Sequence, residues 1–267
     1  MRTDDQEKVQ KQIRRRRVDV SRQQTMMNEL DYMKGALVSR MSHEFRTPLT
    51  SILGFAELIV DDPEMSAQTC KKFARIILTE GERLSTLVNN LLDISLIEKG
   101  GLPTRMIPEN IVPVIEDVIV SLVPQARPKL LTITSDFQSQ SIPICIDKNH
   151  FREIVHQLLS NAIKFTPAGG HIWIGAEANN GHIETWIRDT GSGISQADLP
   201  YIFQKFYRVQ RPGEELPGAG LGLAIVKQLV ELQGGSVSVR SKENVGSTFI
   251  LRFPRSETKP GDSAESF

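Results

Sequence analysis

The stretch "SRMSHEFRTPLTSILGFAEL", residues 39–58, sets a proline inside a run of good helix formers, shortly after a His and a Glu. An interior proline lacks an N–H and its ring crowds the carbonyl four residues back, at a cost of about 3 kcal/mol. Here that carbonyl is Glu44's, beside His43, so the disturbance falls on the His–Glu pair. Around it Met26, Leu30, Met33, Leu37, Met41, Phe45, Leu49, Ile52, Ala56 and Ile59 recur at helical spacing, which predicts one long helix bent at Pro48. His43 stands two positions from both Met41 and Phe45, a rotation of about 200° on a helix, so its imidazole points off the apolar stripe into solvent. Thr47, four residues on, shares its face, and Glu44 neighbours Thr47 at i,i+3. An exposed neutral imidazole keeps one ring nitrogen with a free lone pair and can act as a nucleophile. Glu44 is placed to hold the other N–H and fix the tautomer.

Outward from this stretch, "DDPEM" at 61–65 ends the helix, and a second one carries Phe73, Ile77, Glu80, Leu84, Leu87, Leu91 and Ile94. Those steps alternate four and three, the repeat of a coiled-coil seam. Two antiparallel helices alone leave much of such seams wet, so residues 25–100 are expected to form a helical hairpin that dimerises into a four-helix bundle. Residues 1–24, polar and basic with "RRRR" at 14–17, read as a solvated helix or arm. "EKGGLPTRMIPEN", 98–110, has the Gly and Pro density of a linker, placed at 101–108, and a hinge is expected there. Residues 109–256 then mix helices near 111–127, 148–164 and 221–233 with strands at "LLTITSDF", "PICID", "HIWIGAEA", "HIETWIRD", "GSVSVRS" and "GSTFILRF". That order fits a sheet covered on one face by helices. A polar tail, 257–267, is expected to be disordered.

A chain of 267 residues suits two domains. Its 32 Lys and Arg balance 32 Asp and Glu, so no net field draws it to nucleic acid. The two cysteines, Cys70 and Cys145, stand in no metal-like spacing, which fits a reducing compartment. With no apolar run near the roughly 18 to 20 residues a bilayer requires, the expected location is cytoplasmic.

A second constellation lies in the C-terminal half. In "HIETWIRDTGSGI", alternation puts Ile183, Thr185, Ile187 and Asp189 on one strand face, so Asp189 ends the core-facing row. A carboxylate there requires donors, and Gly191 and Gly193 allow a flat ligand to approach closely; a plain hairpin turn is the competing explanation. "PGAGLGLAIVKQLVELQGG" runs from a Gly-rich loop into an amphipathic helix, a ready phosphate site. The dinucleotide fingerprint would require Gly where Leu223 stands, and no Walker lysine follows. In "HQLLSNAIKF", Gln157, Asn161 and Lys164 recur at helical spacing, suited to phosphate oxygens and magnesium or to a merely polar helix face.

Taken in order, these pieces resemble the transmitter core of a bacterial two-component sensor histidine kinase over about residues 30–254. "SHEFRTPL" is similar to the family's phosphoacceptor box, "LLSNAIKFTP" to its N box, "DTGSGI" and "GAGLGLAI" to its two Gly boxes, "IFQKFYR" to its F box and "GSTFILRFP" to its closing strand. The resemblance implies a dimeric four-helix bundle joined to an α/β sandwich of the GHKL (Bergerat) class. It implies ATP-dependent phosphorylation of His43, with Glu44 and Thr47 in the catalytic set, and transfer onward to an Asp of a response regulator receiver domain. Glu followed by Thr three residues later also implies regulator phosphatase activity, with Thr47 positioning the water. Asp189 would accept the adenine amino group, Asn161 and Gln157 would face magnesium, and Lys164 would neutralise phosphate. Gly218, Gly220, Leu221, Gly222 and Leu223 would form the phosphate end of a lid spanning 198–218. Phe203 and Phe206 look like lid aromatics, with core packing as the alternative for either, and Thr248 like an adenine-pocket residue, with a plain strand position as its alternative. Gln157 departs from the family's usual Asn. That departure alone favours a second reading, a docking scaffold that keeps the nucleotide fold but catalyses poorly. Sensory input would come from an unknown protein or segment.

Overall fold

The computed structural model describes residues 41–179, 181–209 and 219–255. The arm at 1–24, the stripe from Met26 to Leu37, Gly218 and the tail lie outside the described residues. The chain divides into two compact units, Met1–Leu87 and Val88–Phe267.

In the first unit, helix α1 covers 41–61 of the described residues and stays helical on both sides of Pro48, which is buried. Ser66 opens α2 (Ala67–Glu98) by accepting the Thr69 N–H at 3.1 Å, which satisfies one of the unpaired donors of the first turn. The two helices run antiparallel. Phe55 meets Phe73 with ring centroids 5.1 Å apart, while Glu44 meets Arg83 at 3.5 Å, so advancing along one helix retreats along the other. Phe73, Ile77, Glu80 and Leu84 of the expected seam are half-buried and Leu87 is buried. Leu49, assigned by spacing to the covered stripe, is instead 47% exposed; a single facing helix covers too narrow an arc of α1 to reach it.

The second unit takes in the last turns of α2, whose Ile94 lies in its core. Strand β1 (Ile107–Asn110) follows, within the stretch expected to be linker. It pairs antiparallel with β3 (Pro143–Ile146), and as one of only two strands it tolerates Pro108, which elsewhere in a sheet would remove a ladder donor. Helix α3 (Ile111–Ala126) is capped by the Asn110 side chain, which accepts the Val112 N–H. Strand β2 (Thr132–Phe137) leads on to β3 and then to α4 (Lys148–Phe165). Strands β4 (His171–Asn179) and β5 (His182–Asp189) form a hairpin. Helix α5 (Gly222–Leu232) precedes the hairpin of β6 (Ser236–Lys242) and β7 (Gly246–Pro254).

The main sheet has the order β2-β4-β5-β7-β6, with only β2 and β4 parallel. Ile172, Ile174, Ile183, Ile187, Leu251 and Phe253 are almost wholly buried on one face, with Phe151, Ile154 and Leu159 of α4 and Val226 and Val230 of α5 in the same core. Each such side chain contributes about 1.5–3 kcal/mol on burial. The ends of α4, the residues just after β5 and the β6–β7 turn lie at the rim of this core.

Candidate functional site

His43 is exposed on α1, as its spacing predicts. Thr47 Oγ1 donates to the His43 main-chain carbonyl at 3.2 Å, a bond hydroxyls make one turn back along a helix. Glu44 makes a contact that spacing along one helix does not foresee. Its carboxylate is met across the hairpin by the Arg83 guanidinium at 3.5 Å, and Arg83 also reaches Glu80 at 3.5 Å. Both contacts sit at the long limit of a hydrogen bond. Helical spacing along α1 does not reveal a cation presented by another helix.

In the second unit, Asp147 caps α4. Its Oδ1 accepts the Asn149 and His150 N–H groups at 3.0 and 3.1 Å, and its Oδ2 accepts that of Arg105 at 2.8 Å. Burial acts to raise its pKa, but these three N–H groups and the neighbouring His150 outweigh that and hold the carboxyl below its ordinary range. At the far end of α4, the Lys129 ammonium donates to the carbonyls of Ile163, Lys164 and Thr166 at 2.8, 2.8 and 3.1 Å. A cation on the last carbonyls of a helix also complements its dipole. Both ends of the helix that carries Gln157, Asn161 and Lys164 are thereby fixed. Lys129 lies far upstream of the motif it supports, and no local pattern marks it.

Asp189 is 7% exposed. Its Oδ1 accepts the Gly191 N–H at 2.8 Å and the Ser247 N–H at 3.2 Å. Burial pushes the carboxyl above the ordinary range, offset in part by those two donors. Among the described residues no protein donor reaches Oδ2. Gly193 has φ +65°, and a Cβ there would fall on the Lys242 carbonyl oxygen, so the loop closes against the β6–β7 turn only with glycine. Thr248 fits its alternative as a plain strand position. It lies opposite Arg188 and Arg240 in the sheet, on the face away from buried Phe249 and Ser247, and it is Ser247 that meets Asp189. Side chains alternate at period two, so a step of one residue changes the face.

Gln157 Nε2 donates to Glu153 Oε1 at 2.6 Å. A carboxylate can only accept, which leaves Gln157 Oε1 facing away, and a Cβ built on Gly222 would lie 2.7 Å from that oxygen. The N-box helix and the second Gly-rich segment therefore meet at Gln157. Leu221 is buried, Leu223 packs against the core, and Asn161 is half-exposed on α4. Lys164 lies 5.0 Å over the Phe165 ring. Gly220 (φ +70°) offers its carbonyl to the Phe206 N–H at 2.8 Å, and Phe206 itself has φ +65°, uncommon for a bulky residue. Phe203 packs edge-on against Phe249 at 6.4 Å, which fits its core alternative. Tyr207, within the "IFQKFYR" stretch but not singled out there, donates its hydroxyl to Asp198 at 2.6 Å; that bond, with burial, pushes its pKa up to about 12. Gly218 lies outside the described residues.

The comparisons agree with this layout. Residues 146–257 match the model of the histidine kinase-, DNA gyrase B- and HSP90-like ATPases, and residues 33–100 match that of the His Kinase A (phospho-acceptor) domain. Sensor protein SrrB of Staphylococcus aureus is 31% identical over 239 residues, covering 88% of this chain and 40% of SrrB. The chain thus spans about two fifths of the curated relatives it matches. Among solved structures, Acinetobacter baumannii histidine kinase AdeS is 25% identical with a TM-score of 0.63, over 80% of this chain and 98% of that one. Full-length ShkA, solved with AMPPNP, is 29% identical with a TM-score of 0.62, over 82% of this chain and 45% of that one. With a phosphoacceptor domain followed by a GHKL-type ATPase domain, the chain belongs to the two-component sensor histidine kinases and carries their transmitter core.

Proposed function

We propose that the protein binds ATP in its second unit, transfers the γ-phosphoryl group to His43, and passes it to an Asp of a response regulator receiver domain. The observation that carries this reading is Asp189. It is a buried carboxylate with one oxygen held by two backbone N–H groups and the other left for a donor, as an exocyclic amino group would supply. ShkA, solved in complex with AMPPNP, supports nucleotide binding by this fold. At His43 the Nε2 lone pair forms the N–P bond as the P–O bond to ADP breaks, and the ring then sheds its Nδ1 proton. Glu44, adjacent in sequence, is the carboxylate proposed to take it, in exchange for its 3.5 Å contact with Arg83.

Gln157 and Asn161 offer amide oxygens, a donor set that suits magnesium, which prefers oxygen ligands and keeps several waters beside substrate phosphates. When bound there, magnesium would neutralise charge developing on the phosphates. Thr47, exposed beside His43, is proposed to place the water for regulator dephosphorylation, and Lys164 to offset phosphate charge. We place the reaction on the cytoplasmic side, where ATP is available; no helix among the described residues is long and apolar enough to cross a membrane. The hairpin is proposed to act as a homodimer, with sensory input from another protein or segment. The scaffold reading rests on Gln157 alone.

Incubation with ATP and magnesium followed by alkaline handling is expected to leave a base-stable, acid-labile phosphate at position 43. His43→Gln should abolish the label and leave ATP binding within about twofold, since His43 is exposed on a separate unit. A parent that binds ATP but never labels would favour the scaffold.

A further inference from the structure

We propose that Ser241 is a positioning residue for adenine recognition, clamping together the two backbone segments that hold Asp189. The inference rests on the reading of Asp189 as the partner of adenine. A serine hydroxyl has one proton to donate and two lone pairs to accept with. Ser241 Oγ has three neighbours: the Ile194 N–H at 2.8 Å, the Gly246 carbonyl at 2.9 Å and Ser247 Oγ at 2.9 Å. An amide N–H only donates and a carbonyl only accepts. The Ser241 proton therefore goes to Gly246, and Ser247 must donate to Ser241. All its capacity is used, so the hydroxyl has one orientation.

The consequence lies one bond further on. Ser247, whose hydroxyl is fixed by Ser241, gives its backbone N–H to Asp189 Oδ1 at 3.2 Å. Ile194 ends the segment whose Gly191 gives its own N–H to the same oxygen at 2.8 Å. Ser241 lies opposite Ser247 in the β6–β7 ladder, and the Asn244 N–H closes the same junction on the Ser192 carbonyl at 2.8 Å. With both donors held on Oδ1, the carboxylate cannot rotate, and Oδ2 stays directed outward as the specific acceptor. Removing the hydroxyl leaves the Ile194 N–H and the Gly246 carbonyl without their shared partner and frees the two segments to separate.

The test is equilibrium binding of ATP and of inosine triphosphate, which replaces the adenine amino group with a carbonyl, to the full chain. The parent is expected to favour ATP. Ser241→Ala should weaken ATP roughly three- to tenfold and inosine triphosphate by less than about twofold, narrowing the ratio. Ser247→Ala should narrow it in the same direction by less, and decides the matter if Ser241→Ala fails to fold. In an Asp189→Asn background, Ser241→Ala should leave the ratio unchanged. Equal weakening of both nucleotides, or a ratio unmoved in folded variants, overturns the proposal, because mere loosening of the fold affects both alike. A parent without preference for ATP overturns the adenine reading itself, and this inference with it.

Discussion

The hairpin and the sandwich bury apolar surface in opposite ways. The Val88–Phe267 unit closes a core on itself, with Ile111, Ile115, Phe151, Val155 and Leu251 at 0% exposure. The hairpin leaves Leu53, Leu58 and Leu78 at 53%, 51% and 63% exposure, apolar surface that a partner helix would cover. The chemistry follows the same division. In the sandwich the Asp189 carboxylate is fixed by backbone donors, whereas on the hairpin His43 stands in water and its neighbours make long or main-chain contacts. A self-contained unit can preorganise a binding site, and a unit completed by a partner leaves its reactive group accessible to more than one visitor.

The largest effect expected from breaking this contrast is at Asp189. In Asp189→Asn the retained oxygen can still accept both N–H groups, but an NH2 replaces the second acceptor and, on the proposed reading, would face the adenine amino group. ATP binding, measured by calorimetry, should fall about 100-fold. Stability should move the other way. Because the folded pKa of Asp189 is raised, the stability linked to it is full below the unfolded value of about 3.9 and is lost as pH rises through the folded value. Removing the charge should therefore raise the melting temperature at pH 7, and a lower one would contradict the assigned burial cost.

Dilution sharpens the comparison next. A dimeric hairpin should lose about 1.4 kcal/mol of stability for each tenfold dilution, seen in far-ultraviolet circular dichroism. Both tryptophans, Trp173 and Trp186, lie on β4 and β5 of the sandwich, so the fluorescence melt should not shift with concentration. A hairpin transition independent of concentration would remove the dimer.

Within the sandwich, Asp147→Ala should cost about 1 kcal/mol by uncapping α4. The sign of its pH dependence is opposite to that of Asp189. Its folded pKa is lowered, so its contribution is present above about pH 3.9 and disappears as pH falls through the lower folded value. The parent should lose this increment in acid melts, and Asp147→Ala should lack it. The smallest effect is at Gln157. Restoring the shorter amide in Gln157→Asn should lower the magnesium concentration for half-maximal activity by roughly threefold, and superimposable titrations would show that the extra methylene is neutral.

Much of this was legible in the residues. The four-and-three steps from Phe73 to Ile94 located the seam of α2, the rotation from Met41 to Phe45 put His43 in solvent, and alternation from Ile183 to Asp189 put the carboxylate on the core face. Each depends on a local period of the backbone, and a period is written in the chain itself. Beyond that reach stood the Arg83 contact of Glu44, the Lys129 cap on α4, strand β1 inside a Pro-rich stretch, and the Ser247 N–H on Asp189. These are contacts between segments distant in sequence, or faces set by strand register, and only the packed chain brings them together. The sequence by itself determined which residues could act and which way they point on their own element. Tertiary structure decided what each one touches, because a hydrogen bond depends on where two backbones pass each other, and no local periodicity encodes that.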